Sequence, residues 1–287
     1  MKKILVPFDF SQTAINALDF ASQLAQNTPT EITLLHVIDP PEGVAFNSYG
    51  MSSGTDPMDK VYVLQLIKRT EEKLAEITVE KKNPLTEIYP KVILGNPFEC
   101  IKEEITTSHA DLVVMGTKGS SGLKEYLVGS NTEKIVRYAH CPVIAIPVDI
   151  DPPAIKNIAF ATNLEEKQDF ILQALKVYQS LFNAKIHLVW INTFQANQDI
   201  ALVEKELEAL ATKSDLENYE SHIFNATHTE SGIMHFAEQY EMDMIALATH
   251  GHKGLTHLFV GSIAEDIVNH AKKPVWTYST HALDAKK

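Results

Sequence analysis

The residues able to do chemistry in this chain concentrate in one glycine-spaced stretch. Gly116-Thr117-Lys118-Gly119 is followed, after nine residues, by Gly129-Ser130-Asn131 at the head of a helical pattern. Glycine lets backbone amides approach an anion closely, and the amides at a helix N-terminus carry partial positive charge, so this spacing suits a phosphate cradle. Lys118 adds a cation beside it. Ser130 has a second reading: with Glu133 it spells a capping box, repeated by Ser262 with Glu265, in which the hydroxyl serves the helix. Histidine is the other reactive type, three before residue 150 and nine after it. His228, His250 and His252 could gather at one strand end and bind zinc, or could be solvated loop residues. His36 and His187 fall inside strand-like runs and read as half-buried residues satisfied by backbone. Cys100 and Cys141 read as packing residues, and Asp56-Pro57-Met58-Asp59 as a turn and helix cap.

The elements that must hold these residues come in two copies. KKILVPFDFS (Lys2 to Ser11) aligns with KNIAFATNLE (Lys156 to Glu165), and Thr30 to Asp39 with Ala184 to Thr193. Ala110 to Pro147 then pairs with Met242 to Ser279 at a smaller offset, so the second copy is shorter in its middle. The missing piece is the Gly-, Pro- and Ser-rich stretch PPEGVAFNSYGMSSGTDPMDK, which reads as a mobile loop. Short β-branched runs (Ile4 to Val6, Ile32 to Val37, Leu112 to Met115, Val143 to Ile146) alternate with helical patterns, predicting a parallel sheet covered on both faces. After Ser11, a candidate cap, Ala14, Leu18, Ala21, Leu24 and Ala25 recur at helical spacing; the second copy has Phe170, Leu172, Ala174, Leu175 and Leu181. The expected fold is α/β: two tandem doubly wound, Rossmann-like domains of about five strands each. Domain one spans residues 1–150, domain two 151–280 and a tail 281–287, with the prolines of Val148 to Pro153 as a stiff linker. The last strands, Pro142 to Pro147 and Pro274 to Tyr278, would leave apolar edges, and pairing them makes an intramolecular pseudo-dimer.

Composition narrows the classes. Lys+Arg 25 against Asp+Glu 37 gives a net charge of -12, the wrong sign for broad attachment to nucleic acid or anionic lipid. No apolar run spans a bilayer, and Asp9 interrupts the apolar start, so neither membrane insertion nor a secretory leader is expected. Two cysteines without a CxxC pair indicate neither a disulfide framework nor a thiolate zinc site, and the expected compartment is the cytoplasm.

The spacing of Gly116, Gly119, Gly129 and Ser130, with VPFD at the first strand and LLHV at the second, resembles the universal stress protein family in its tandem, two-domain form. In the ATP-binding branch of that family the glycine pattern is the phosphate and ribose loop, which implies Gly116, Gly119, Gly129, Ser130 and Asn131 as nucleotide contacts here. The same resemblance implies Pro7, Phe8, Asp9 and Val37 at the adenine and ribose, with Met115 lining the base. The second copy departs from the pattern: Asp9 becomes Asn163, Pro7 Ala161, Val37 Ile191 and Gly116 Ala248, while Gly251, Gly261 and Ser262 remain. An amide is a poorer ribose acceptor than a carboxylate, so a weakened second nucleotide site is expected.

No nucleophile–base pair and no P-loop GxxxxGK[ST] occurs, so nothing calls for fast turnover. The expected function is an ATP-binding regulatory or signalling protein, ATP arriving with Mg2+, its protein partners unassigned, a homodimer of the whole chain possible and catalysis at most slow hydrolysis or autophosphorylation. The alternative is a non-nucleotide ligand- or metal-binding partner module, with the site in domain two and domain one as scaffold.

Overall fold

The computed structural model describes residues 1–39, 57–81, 83–117, 129–147, 155–165, 168–194, 198–249 and 260–279, with backbone alone at 57–60 and 260–262. The first copy runs β1 (Lys3–Pro7), α1 (Gln12–Leu24), β2 (Thr30–Ile38), α2 (Pro57–Glu80), β3 (Thr86–Leu94), α3 (Pro97–Thr107), β4 (Leu112–Gly116), α4 (Ser130–Tyr138) and β5 (Val143–Ile146). The second repeats the order as β6 (Asn157–Ala161), α5 (Gln168–Phe182), β7 (Lys185–Thr193), α6 (Ile200–Lys213), β8 (Tyr219–Ala226), α7 (Thr229–Gln239), β9 (Met244–Thr249), α8 (Val260–His270) and β10 (Val275–Ser279).

All the strands join one ten-stranded sheet, ordered β3-β2-β1-β4-β5-β10-β9-β6-β7-β8. Every pairing is parallel except β5 with β10, where the copies meet. The central strands are apolar throughout because helices cover both faces: β5 is buried at every position, as is β9. One core cluster lies on each side of the sheet, one around Leu18, Phe160 and Trp276, the other around Met115, Ile135 and Phe236. Helix α1 forms as its sequence suggests. Ser11 Oγ accepts the Ala14 amide, and Ala14, Leu18, Ala21, Leu24 and Ala25 are buried. In α5 the buried face is Ile171, Leu172, Leu175 and Tyr178, while Phe170 points outward.

The β5–β10 junction has local two-fold symmetry. Trp276 faces Ile144, its own counterpart in the repeat, with Val275 opposite Ala145 and Thr277 opposite Val143. The adjoining helices obey the same operation. Arg137 of α4 pairs with Glu265 of α8, and the reciprocal contact joins Asn269 Nδ2 to Glu133 Oε1 at 3.4 Å. Such self-complementarity is the mark of an isologous interface, here closed within one chain. Glu133 therefore serves the junction, and the capping box read from Ser130 and Glu133 is not formed: Gly129 is the N-cap of α4 and Ser130 its first helical residue.

Candidate functional site

The nucleotide-type residues converge on one cavity of about 410 Å³ at the carboxyl ends of β1, β2 and β4. Pro7, Phe8, Asp9, Val37, Met115, Gly116, Gly129, Ser130 and Asn131 all line it. Gly119 and Lys118 lie outside the described residues, as do His250, His252 and the 40–56 stretch. Ser11, Thr13, His36, Asp39 and Thr132 join the lining without having been assigned to the site from sequence. They arrive through the turn after β1, the first turns of α1 and α4 and the carboxyl end of β2, which local spacing does not assign to a cavity.

Each wall has a local cause. Phe8 is anchored by its amide to the Leu35 carbonyl at 2.7 Å, and His36 Nδ1 donates to the Phe8 carbonyl at 2.7 Å. His36 is thus satisfied by backbone, as expected. Asp9 Oδ1 accepts the Ser11 amide at 3.0 Å, closing an Asx turn that aims the chain into α1. Phe10 sits inside this turn at φ 63, a left-handed conformation costing roughly 1–2 kcal/mol for a residue with a Cβ. The second copy repeats both features, with Leu164 at φ 61 and Asn163 Oδ1 accepting the Glu165 amide at 3.2 Å.

The floor is Gly116, and the structure gives it a reason other than the one expected. Its φ is not positive; a Cβ there would lie 2.6 Å from Thr13 Cβ and Oγ1 and 2.8 Å from the Thr13 carbonyl carbon. The glycine admits the first turn of α1 against β4. The carbonyl of Gly116 meanwhile accepts the Thr132 hydroxyl at 2.9 Å, fixing the start of α4. Two helix N-termini, those of α1 and α4, therefore face the same cavity. The first is closed by Ser11, but no side chain caps the second, whose cap residue Gly129 has none to offer. An uncapped helix start presents amide donors to solvent or to an anion.

The second copy builds a smaller cavity of about 320 Å³ from Ala161, Thr162, Asn163, Trp190, Ile191, Leu247, Ala248 and neighbours. Trp190 replaces His36, and Gln168 Nε2 donates to Asn163 Oδ1 at 3.0 Å, so that oxygen already accepts two protons from the protein. His228 is the N-cap of α7 and makes no side-chain cap bond. His187 departs from expectation: its partners are the side chains of His222 and Asn157, at 3.0 and 3.2 Å, rather than backbone. Cys100 packs beneath Gly95, and burial first, then nearby carboxylates, raises its thiol pKa, which suits a packing role.

Residues 1–147 and 154–279 each match the model of the universal stress protein family. The chain is 24% identical over 298 residues to a universal stress protein of Synechocystis, covering 97% of this chain and all of that one. A universal stress protein of Methanocaldococcus jannaschii is 28% identical over 152 residues, half of this chain and 94% of its own length. Among solved structures, a universal stress protein of Archaeoglobus fulgidus superposes with a TM-score of 0.74 at 17% identity, over 96% of this chain and 98% of that one. Among the described residues, no helix is long and apolar enough to cross a membrane.

Proposed function

The chain belongs to the universal stress protein family, with two family domains in tandem, and from that premise we propose that its first domain binds ATP as a regulatory ligand. One observation carries the reading: the cavity at the carboxyl ends of β1, β2 and β4 is flanked by two helix N-termini, one without a side-chain cap. The residues fit the ligand's chemistry. Pro7, Phe8, Val37 and Met115 offer an apolar wall for a base, Asp9 a carboxylate for ribose hydroxyls, and Ser130 and Asn131 donors for phosphate, while Gly129, whose amide donates to the Thr117 carbonyl at 2.8 Å, lets the phosphate approach without a side chain in the way. A cavity of about 410 Å³ lies in the range that encloses small ligands.

Mg2+ would arrive with the phosphates as their counter-ion. Slow hydrolysis is the most that we propose: His36 lines the cavity with its Nδ1 donating to the Phe8 carbonyl, and among the described residues no hydrogen bond joins its ring to a nucleophile. Occupancy rather than hydrolysis is the signal, and because α1 and α4 border the cavity, their surfaces are where partners would read it. We place the domain boundary near Ile150, residues 281–287 as a tail, and the protein in the cytoplasm, in keeping with two cysteines that form no disulfide. The second domain binds nucleotide weakly or not at all, because Asn163 is occupied by Gln168 and Ala161, Ile191 and Ala248 narrow the cavity.

Calorimetric titration of nucleotide-stripped protein with Mg-ATP tests this. One site per chain is expected. Two equal sites would overturn the assignment of the second domain, and no binding by folded protein would overturn that of the first and favour the ligand or partner module.

A further inference from the structure

Away from both cavities, three ligating side chains meet on one face of the second domain's sheet. His187 of β7 stands opposite Glu220 of β8 in the parallel register, and His222 follows Glu220 by two residues on the same face. Their ligating atoms all lie within 4.8 Å of one another. His187 Nδ1 and His222 Nε2 are 3.0 Å apart, and Glu220 Oε1 is 3.8 Å from His222 Nε2. None of the three lines the second domain's nucleotide-type cavity, which opens at the other end of β7.

We propose that His187, Glu220 and His222 form a binding site for one divalent cation of the zinc class, with a water as fourth ligand. Two nitrogens sharing a tetrahedral zinc at bonds of about 2.0–2.1 Å stand about 3.3 Å apart. The imidazole pair is therefore within about 0.3 Å of that separation, and the carboxylate must move about 0.5 Å closer to reach it. The outer partners are also in place. His187 Nε2 donates to Asn157 Oδ1 at 3.2 Å, which leaves the Nδ1 lone pair directed at the site. Lys185 holds the other carboxylate oxygen, Oε2, at 2.5 Å, so Oε1 is the one turned to the rings. Phe236 of α7 and Tyr240, its C-cap, pack on His222, with ring centroids 5.0 and 5.2 Å away, and fix its plane. The proton that now bridges the two rings is what the cation would displace. Access is from the Glu220 side, whose side chain is half exposed.

Among the described residues, the first domain carries no such set. By the strand registers, the positions corresponding to His187, Glu220 and His222 are Thr33, Tyr89 and Lys91, and Lys91 reaches instead to Glu104 of α3. The site thus belongs to the half whose nucleotide-type cavity has diverged, and it involves none of His228, His250 or His252.

The test is titration of the full-length, metal-stripped, nucleotide-free protein with ZnCl2, followed by calorimetry, with visible absorption of the Co2+ form as a check on tetrahedral nitrogen–oxygen ligation. Micromolar or tighter binding at this site is expected, weakened at least about tenfold in His222→Gln, the scale on which even outer partners of metal ligands act. It is expected to persist in His228→Gln. Binding that is absent from the wild type, unchanged in His222→Gln, or lost in His228→Gln instead would overturn the proposal. If His222→Gln does not fold, as judged by circular dichroism in chelator, Glu220→Gln replaces it at a half-exposed position, and unchanged affinity there overturns the proposal equally.

Discussion

Gly116→Ala is the substitution that most directly tests why the cavity floor is glycine. The added Cβ would sit 2.6 Å from two side-chain atoms of Thr13 and 2.8 Å from its carbonyl carbon, where carbon atoms ordinarily rest about 3.5–4.0 Å apart. Thr13 cannot rotate away from a clash with its own backbone. Relief requires roughly 1 Å of movement of the first turn of α1, and that turn is tied down by the Ser11 cap and by buried Ala14, Ala17 and Leu18. Overpacking of this kind costs about 1–3 kcal/mol, or about 2–4 °C in Tm for each kcal/mol in domains of roughly this size. Thermal and urea unfolding followed by circular dichroism would read it. ATP affinity measured well below Tm should fall too, since Ser11, Thr13 and Ala14 line the cavity. The reverse change, Ala248→Gly in the second domain, should also destabilise, by about 1 kcal/mol through backbone entropy and lost packing. A Gly116→Ala protein that melts with the wild type would refute the steric account and leave the glycine to the ligand alone.

Ser130→Ala should leave stability within about 0.5 kcal/mol of wild type, because no cap bond is lost, yet weaken ATP binding; a drop of 1 kcal/mol or more in unfolding free energy would restore the capping role. Asn269→Arg should rebuild beside Glu133 the ion pair that Arg137 makes with Glu265, adding about 0.2–1 kcal/mol that fades with salt, and a salt-independent effect would count against an ion pair. Burial, aided for His187 by the neighbouring His222 and Lys185, holds both imidazoles below the ordinary histidine value. Below pH 6.5 the unfolded chain therefore takes up protons that the folded one refuses, so stability in chelator is full above 6.5 and lost as pH falls through it. Urea midpoints of wild type should decline on acidification more steeply than those of His187→Gln; parallel profiles would contradict this.

The sequence announces the repeat, the parallel sheet and the pairing of β5 with β10, because each rests on patterns contained in a few consecutive residues. The edge strands β3 and β8 are not visible in the same way. Thr86–Leu94 contains Pro90 and is fully buried at Thr86 alone, features an edge strand tolerates but a propensity reading assigns to loop. The cavity-lining residues beside the glycines were legible only through family resemblance, and Thr13 and Thr132 not at all, since both act through contacts distant in sequence. Ser130 shows the opposite failure. Its S-x-x-E pattern is a sound local signal, overridden because Glu133 has a better use at the junction with Asn269. The His187 cluster escaped for a related reason: His187 and Glu220 become neighbours only through strand register, and neither carries a metal motif along the chain.

The two-fold axis between Ile144 and Trp276 has a consequence for how this molecule behaves when scarce. Two separate copies joined along such an edge would obey mass action and come apart on dilution. Carried on one polypeptide, the union has no second-order step, so the continuous sheet survives at any expression level. Substitutions also fall on one half at a time instead of appearing twice. One side of the axis is then free to keep a roomy cavity while the other narrows its own and gathers histidines, a division of labour that a symmetric pair of identical chains has no means to encode.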